Sequence, residues 1–126
     1  MLFSYSRAQA IADGMLIDLS KVAARHGFKI PVAITSAAWF DVAFWDENDD
    51  RRQPGAGQNQ AGRLHDLLFV AAMQATGMDA DILQFPLLRV PRDGRAVAAR
   101  PALLKMIIGP GDTPDPVITI MLPNED

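Results

Sequence analysis

A change of hydrophobic period near residue 81 confines this chain to few architectures. Upstream, alanine-rich stretches repeat apolar residues at helical spacing; downstream, apolar and β-branched residues run or alternate in strand-length segments. Helices first and strands second is the pattern of an α+β domain, with N-terminal helices packed on a C-terminal antiparallel sheet. At 126 residues the chain is long enough for one such domain over 1–126 and too short for two ordinary ones.

Local signals place the elements. Ser6 is a good N-cap for a short helix over 7–13, which Gly14 stops. Residues 16–19 read as a short extended segment. Ser20 caps a helix over 21–26 that Gly27 ends, and 30–35, with a β-branched centre, predicts a strand. Thr35 or Ser36 caps an apolar helix over 37–45. Residues 46–60 show no period and are expected to form an exposed, mobile loop. The longest helix is expected over Gln60–Thr76, closed by Gly77. Beyond it, 82–91 and 100–108 predict two strands joined by a turn at Arg92-Asp93-Gly94-Arg95, since Asp-Gly between apolar runs is a strong hairpin signal. With 117–122 they form a three-stranded meander, to which 30–35 adds a fourth strand.

Composition excludes several kinds of chemistry. The chain has no cysteine, so thiolate nucleophiles, disulfides and cysteine-based metal centres are ruled out. A net charge of −3 argues against a general nucleic-acid coat or a polybasic membrane binder. The longest apolar run, 67–73, falls far short of the roughly 20 residues of a membrane helix, and Met1-Leu2-Phe3-Ser4 opens without the basic start of a signal peptide. A cytoplasmic protein without membrane contact is the expectation.

The candidate chemistry is sparse. Asp41 is the single charge in the helix 37–45, among Trp39, Phe40, Phe44 and Trp45, and its expected structural role is a salt bridge, with Arg63 as one candidate partner. Arg63, His65 and Asp66 form the polar group of the long helix. His65 could act as a general base oriented by Asp41, whereas Asp66, one residue on, points elsewhere. His26, beside Gly27, is expected to favour a helix C-terminus. The two histidines lie far apart in sequence, and the acidic run 46–50 lacks the glycine and spacing of a calcium loop, so neither metal nor cofactor is expected. None of Ser4, Ser6, Ser20 and Ser36 has the flanking glycines of a nucleophile elbow.

Two features point to binding instead. On the long helix, Leu64, Leu67, Leu68, Ala71 and Ala75 share one face, while Phe69 and Met73 lie near the opposite one. Such a helix is either central in its domain or turns a second face to a partner, a host protein or another copy. On the hairpin, Arg89, Arg92, Arg95, Arg100 and Lys105 outweigh Asp93 for a local charge of +4, against −4 from Asp112, Asp115, Glu125 and Asp126. These groups either neutralise one another, or the arginines grip phosphate or an acidic protein surface.

Several segments carry a family resemblance together: 5–14 (Tyr5 to Gly14), 28–35 leading to Trp39, Ala61-Gly62-Arg63-Leu64-His65-Asp66, Leu88-Arg89-Val90-Pro91-Arg92-Asp93-Gly94, and Gly109-Pro110-Gly111-Asp112 followed by 116–123 and Glu125-Asp126. Over nearly the whole chain this resembles a bacterial family of unknown function carried on plasmids, integrated elements and phages. The resemblance implies a tryptophan in relatives at position 65, which counts against His65 as a catalyst. It also implies a setting in which accessory proteins interfere with host defence. The leading expectation is therefore a non-enzymatic interaction protein of a mobile element, an anti-defence inhibitor of the anti-CRISPR or anti-restriction type that binds a host complex. The alternatives are a small enzyme using Asp41, Arg63 and His65, or a nucleic-acid binder using the hairpin arginines, the less favoured partner.

Overall fold

The computed structural model describes residues 5–126, so the N-terminal reading at residues 1–4, Ser4 included, lies outside the described residues. The chain runs α1 (Arg7–Ala12), β1 (Leu16–Asp18), α2 (Ser20–Ala24), β2 (Val32–Thr35), α3 (Ser36–Val42), α4 (Glu47–Arg52), α5 (Gln60–Thr76), β3 (Ile82–Arg89), β4 (Arg100–Pro110) and β5 (Pro116–Met121). This is the expected α+β class, with the long strands following the helices.

Helix boundaries follow from side-chain caps. Ser6 Oγ accepts from Gln9 N while the Gln9 side chain returns to Ser6 N, a capping box that starts α1. Asp13 and Gly14 then stop it, Gly14 with φ +77°, a region open to glycine at no steric cost. Thr35 Oγ1 caps α3 through Ala38 N, and Asn59 caps α5 through Gly62 N.

The described residues form a five-stranded sheet in the order β1-β2-β5-β4-β3. Strands β3, β4 and β5 form the anticipated antiparallel meander. Two features go beyond it. Strand β2 joins β5 in parallel, pairing Val32 with Ile118 and Ile34 with Ile120, and β1 adds an antiparallel edge with Leu16 opposite Thr35. The parallel pair puts β5, from the end of the sequence, in the middle of the sheet.

One face of the sheet carries the main core. Val32, Ile34, Phe85, Leu104, Met106, Ile118 and Ile120 pack against Leu19 and Ala23 near α2, Ala38 and Val42 on α3, and Leu67, Leu68 and Ala71 on α5. Leu68 is fully enclosed; truncating it to alanine would cost about 2–5 kcal/mol through lost transfer energy and the cavity left behind. The helices do not all share that face. Ile118 and Ile120 point into the core, so Thr119 between them points away. There the Arg7 guanidinium of α1 donates to Thr119 Oγ1 (2.7 Å) and Ile118 O (2.8 Å).

Two expected loops are corrected. Residues 46–60 do not form a solvated, mobile loop, because 47–52 are helical and the side chains of Asp49 and Gln53 are buried. Asp46 Oδ1 accepts from Asp49 N while Asp49 Oδ2 accepts from Asp46 N, a carboxylate capping box. Glu47, Asp49 and Asp50 in the first turn and Arg51 and Arg52 in the last complement the helix dipole. The turn at 92–95 is likewise part of a longer connection from β3 to β4, in which Val90 and Ala96 form a second small core with Trp45 and Ala56.

Candidate functional site

The polar residues singled out from the sequence divide between two places. The first is a buried arginine–carboxylate junction where α3, α4, the start of α5 and the β3–β4 connection meet. Arg63, in the first turn of α5, is 4% exposed and sends Nη1 to Val90 O (2.8 Å) and Nη2 to Asp41 O (2.9 Å), with its guanidinium 5.1 Å from the centre of the Trp45 ring. Burial pushes its pKa down to about 10, and nearby Arg92 and Arg89 push the same way, so it remains charged at neutral pH. Its Nε is enclosed without a partner among the described residues.

The expected Asp41 salt bridge is formed by a different arginine. Arg89 Nε donates to Asp41 Oδ1 at 2.8 Å, while Arg63 takes only the Asp41 carbonyl. Arg92 Nε donates to Asp49 Oδ2 at 2.9 Å, its Nη1 reaches Phe40 O, and its guanidinium lies 4.7 Å from the Phe44 ring centre. Arg52 Nη2 takes the other Asp49 oxygen at 3.0 Å. Burial pushes the Asp49 carboxyl up, but hydrogen bonds from Arg92, the Asp46 N–H and Arg52 outweigh it and hold the group below the usual carboxylate range.

Those pairings correct the expectation for the hairpin. Arg89 and Arg92 do not project freely into solvent, and they are neutralised by Asp41 and Asp49 rather than by the acidic tail. The tail acts mostly elsewhere: Asp112 caps α1 through Arg7 N (2.7 Å) and Ala8 N (3.0 Å), and Glu125 accepts from Thr35 Oγ1 and Leu122 N, while among the described residues Lys105 alone of the basic group reaches the tail, donating to the Glu125 carbonyl. Arg95 is exposed. The junction is therefore an assembly of paired charges that ties four segments together, with Arg63 Nε the one group left unpaired among the described residues.

His65 is exposed on α5 and lines a shallow groove there with Arg63. Its Nδ1 is 3.0 Å from Nε2 of His26, so the fold brings together two histidines that are far apart in sequence. As expected near a helix end, His26 turns Nδ1 to Val22 O, 3.1 Å away. Among the described residues no group of three or more His, Asp or Glu side chains is placed to hold a metal ion.

The second place is the surface that starts at this pair. Phe69 lies against His65, with ring centres 6.2 Å apart, and is 55% exposed; Met73, one turn on, is 63% exposed. Phe69 also borders a groove with Val70 of α5 and Pro86 and Leu88 of β3, and Leu88 is 66% exposed. Phe69 thus joins Met73 on one side to Pro86 and Leu88 on the other, a mostly apolar strip from the outside of α5 to the free edge of the sheet, with the exposed Asp66 as its charged neighbour. Strand β3 is that edge, and Pro86 has no N–H to offer an added strand, so the strip presents side chains rather than backbone. Phe69 and Met73 were legible from helical spacing; Pro86 and Leu88 were not, because nothing local says that β3 ends beside α5.

A profile for a family of unknown function matches residues 1–126, the full length of the sequence. The chain belongs to that family, DUF6573. No curated protein and no solved structure matches it. Membership in DUF6573 agrees with the resemblance read from the motifs as far as an uncharacterised family goes. Among the described residues no helix is long and apolar enough to cross a membrane.

Proposed function

We propose that this chain is a non-enzymatic interaction protein that binds another protein through the strip formed by Phe69, Met73, Pro86 and Leu88. The observation that carries this reading is the exposure of three large apolar side chains, Phe69, Met73 and Leu88, side by side across two elements. Scattered apolar residues are ordinary on a protein surface, but a contiguous strip on a rigid helix and strand is characteristic of binding faces. The neutralised junction supports the same reading, because it leaves Asp41 and Arg63 occupied in holding the fold. The mobile-element setting implied by the resemblance makes a host defence or nucleic-acid-processing complex the expected target, reached in the cytoplasm.

The test is plasmid establishment in bacteria with and without an active restriction or RNA-guided defence. Expression of the chain should raise establishment only in the defended strain, and Phe69→Asp with Leu88→Asp should abolish the gain while the melting temperature holds. Equal establishment with and without the chain, or an undiminished gain from the double variant, overturns the proposal.

A further inference from the structure

We infer that His26 and His65 form half of a transition-metal site that a second copy of the chain completes, giving a dimer bridged by zinc or a similar divalent ion. The inference stands on the histidine geometry and goes beyond the target-binding role of the strip; because Phe69 and Met73 line the groove beside the pair, a second copy and a target exclude each other at that end of the strip.

The two imidazoles present nitrogens to one point. His26 Nε2 and His65 Nδ1 are 3.0 Å apart, their rings tilted by 51° with centres 5.0 Å apart. Two nitrogens bound tetrahedrally to zinc, each at about 2.0–2.1 Å, are separated by about 3.3 Å. A small opening of the pair therefore admits the ion. His26 is already oriented for it: Val22 O can only accept, so His26 Nδ1 carries the proton and Nε2 keeps its lone pair. A metal-binding histidine characteristically holds its second nitrogen against a backbone carbonyl in this way. Without metal, His65 Nδ1 donates its proton to His26 Nε2. With metal, the neutral His65 ring takes its other tautomer, with the proton on Nε2, and both facing nitrogens offer lone pairs.

The site is incomplete in one chain. A closed tetrahedral zinc site takes four protein ligands, and the described residues supply two here. A two-fold axis through the ion supplies the other two with the same geometry, since a symmetric dimer repeats each contact. The ground beside the pair suits a second copy, because Phe69, Ala72 and Met73 line the same shallow groove. The one charged side chain in that lining, Arg25, disfavours a cation, but it is exposed on a long stem at the end of α2 and free to turn outward.

The experiment is light scattering and isothermal titration with zinc chloride on the full chain. The expected result is a doubling of mass with zinc, one ion per two chains, reversed by chelator and lost in His65→Ala and in His26→Ala. Cobalt should give the visible absorption of a tetrahedral site in the wild type and not in either variant. Because His65 is exposed, His65→Ala keeps the test decisive if His26→Ala fails to fold. An unchanged mass with zinc, one ion per monomer, or doubling that persists in His65→Ala overturns the inference. Each result is read without the host target, so failure here leaves the target-binding role to its own test.

Discussion

Arg92 and Asp49, 43 positions apart, form a 2.9 Å ion pair in which the Asp49 side chain is 1% exposed and that of Arg92 22%. The pair ties the β3–β4 connection to the first turn of α4, so a residue at the hairpin tip is bound into the interior. Removing Asp49 leaves Arg92 without its counterion, and removing Arg92 leaves the buried carboxylate with Arg52 alone.

Charge reversal should therefore separate the two tip arginines. Arg92→Glu places a second carboxylate against Asp49 and should destabilise the protein by about 3–5 kcal/mol, the scale of a broken buried pair. Arg95→Glu, at an exposed position, should change stability by no more than about 0.5 kcal/mol. Urea unfolding of the two single variants measures both; equal midpoints would show that the Asp49 pairing contributes nothing.

The same carboxylate should set an acid limit. Asp49 titrates lower in the folded chain than in the unfolded one, so the unfolded state binds its proton first as pH falls. Its contribution is fully present above the ordinary carboxylate pKa, near 4, and is lost as pH drops through the lower folded value. Thermal melts from neutral pH down to pH 2 should show a steeper loss below about pH 4 in the wild type than in Asp49→Asn. Parallel curves would contradict this.

Gln53 should matter more than its place in a polar stretch implies. Its amide donates to Pro91 O (2.8 Å) and Ala96 O (2.7 Å), and its carbonyl accepts from Gly94 N (3.1 Å). Gln53→Ala should cost about 2–4 kcal/mol by leaving buried backbone groups unpaired. Deleting 54–57 removes Ala56 from beside Trp45 and should cost well over the about 1 kcal/mol set by loop closure alone. Denaturant midpoints decide both.

Lysine should not replace Arg63. The guanidinium spans two carbonyls on different segments, Val90 O and Asp41 O, and an ammonium reaches one of them at most. Arg63→Lys should lower stability by at least about 2 kcal/mol and alter Trp45 fluorescence, because the cation leaves the ring face. A variant as stable as the wild type, with an unchanged emission maximum, would show the junction to be dispensable.

Features encoded by near neighbours were legible in the sequence. Ser6, Thr35 and Gly14 mark helix ends through contacts within a few residues, and α5 shows its core face through Leu64, Leu67, Leu68 and Ala71. Features built across long separations were not. The pairing of Val32 with Ile118 joins positions 86 apart, and no local pattern distinguishes a parallel neighbour from an antiparallel one. Helix α4 is a different case. Its signal was present, since Asp46 and Asp49 stand at capping-box spacing with acids before bases, but the absence of an apolar stripe concealed it. At the candidate surface, Phe69 and Met73 were visible by period, whereas the meeting of His26 with His65 depends on how α2 and α5 pack.

The central place of β5 bears on how the chain is made. Its neighbours β2 and β4 are both synthesised before it, and while it is still in the ribosome their facing edges have no strand between them. The N-terminal elements emerge with apolar faces that only the last strand can bring under one sheet. Folding of this sheet must therefore await the emergence of residues 116–121, and a chain cut short before Pro116 is a substrate for proteases and chaperones rather than a weakened version of the protein.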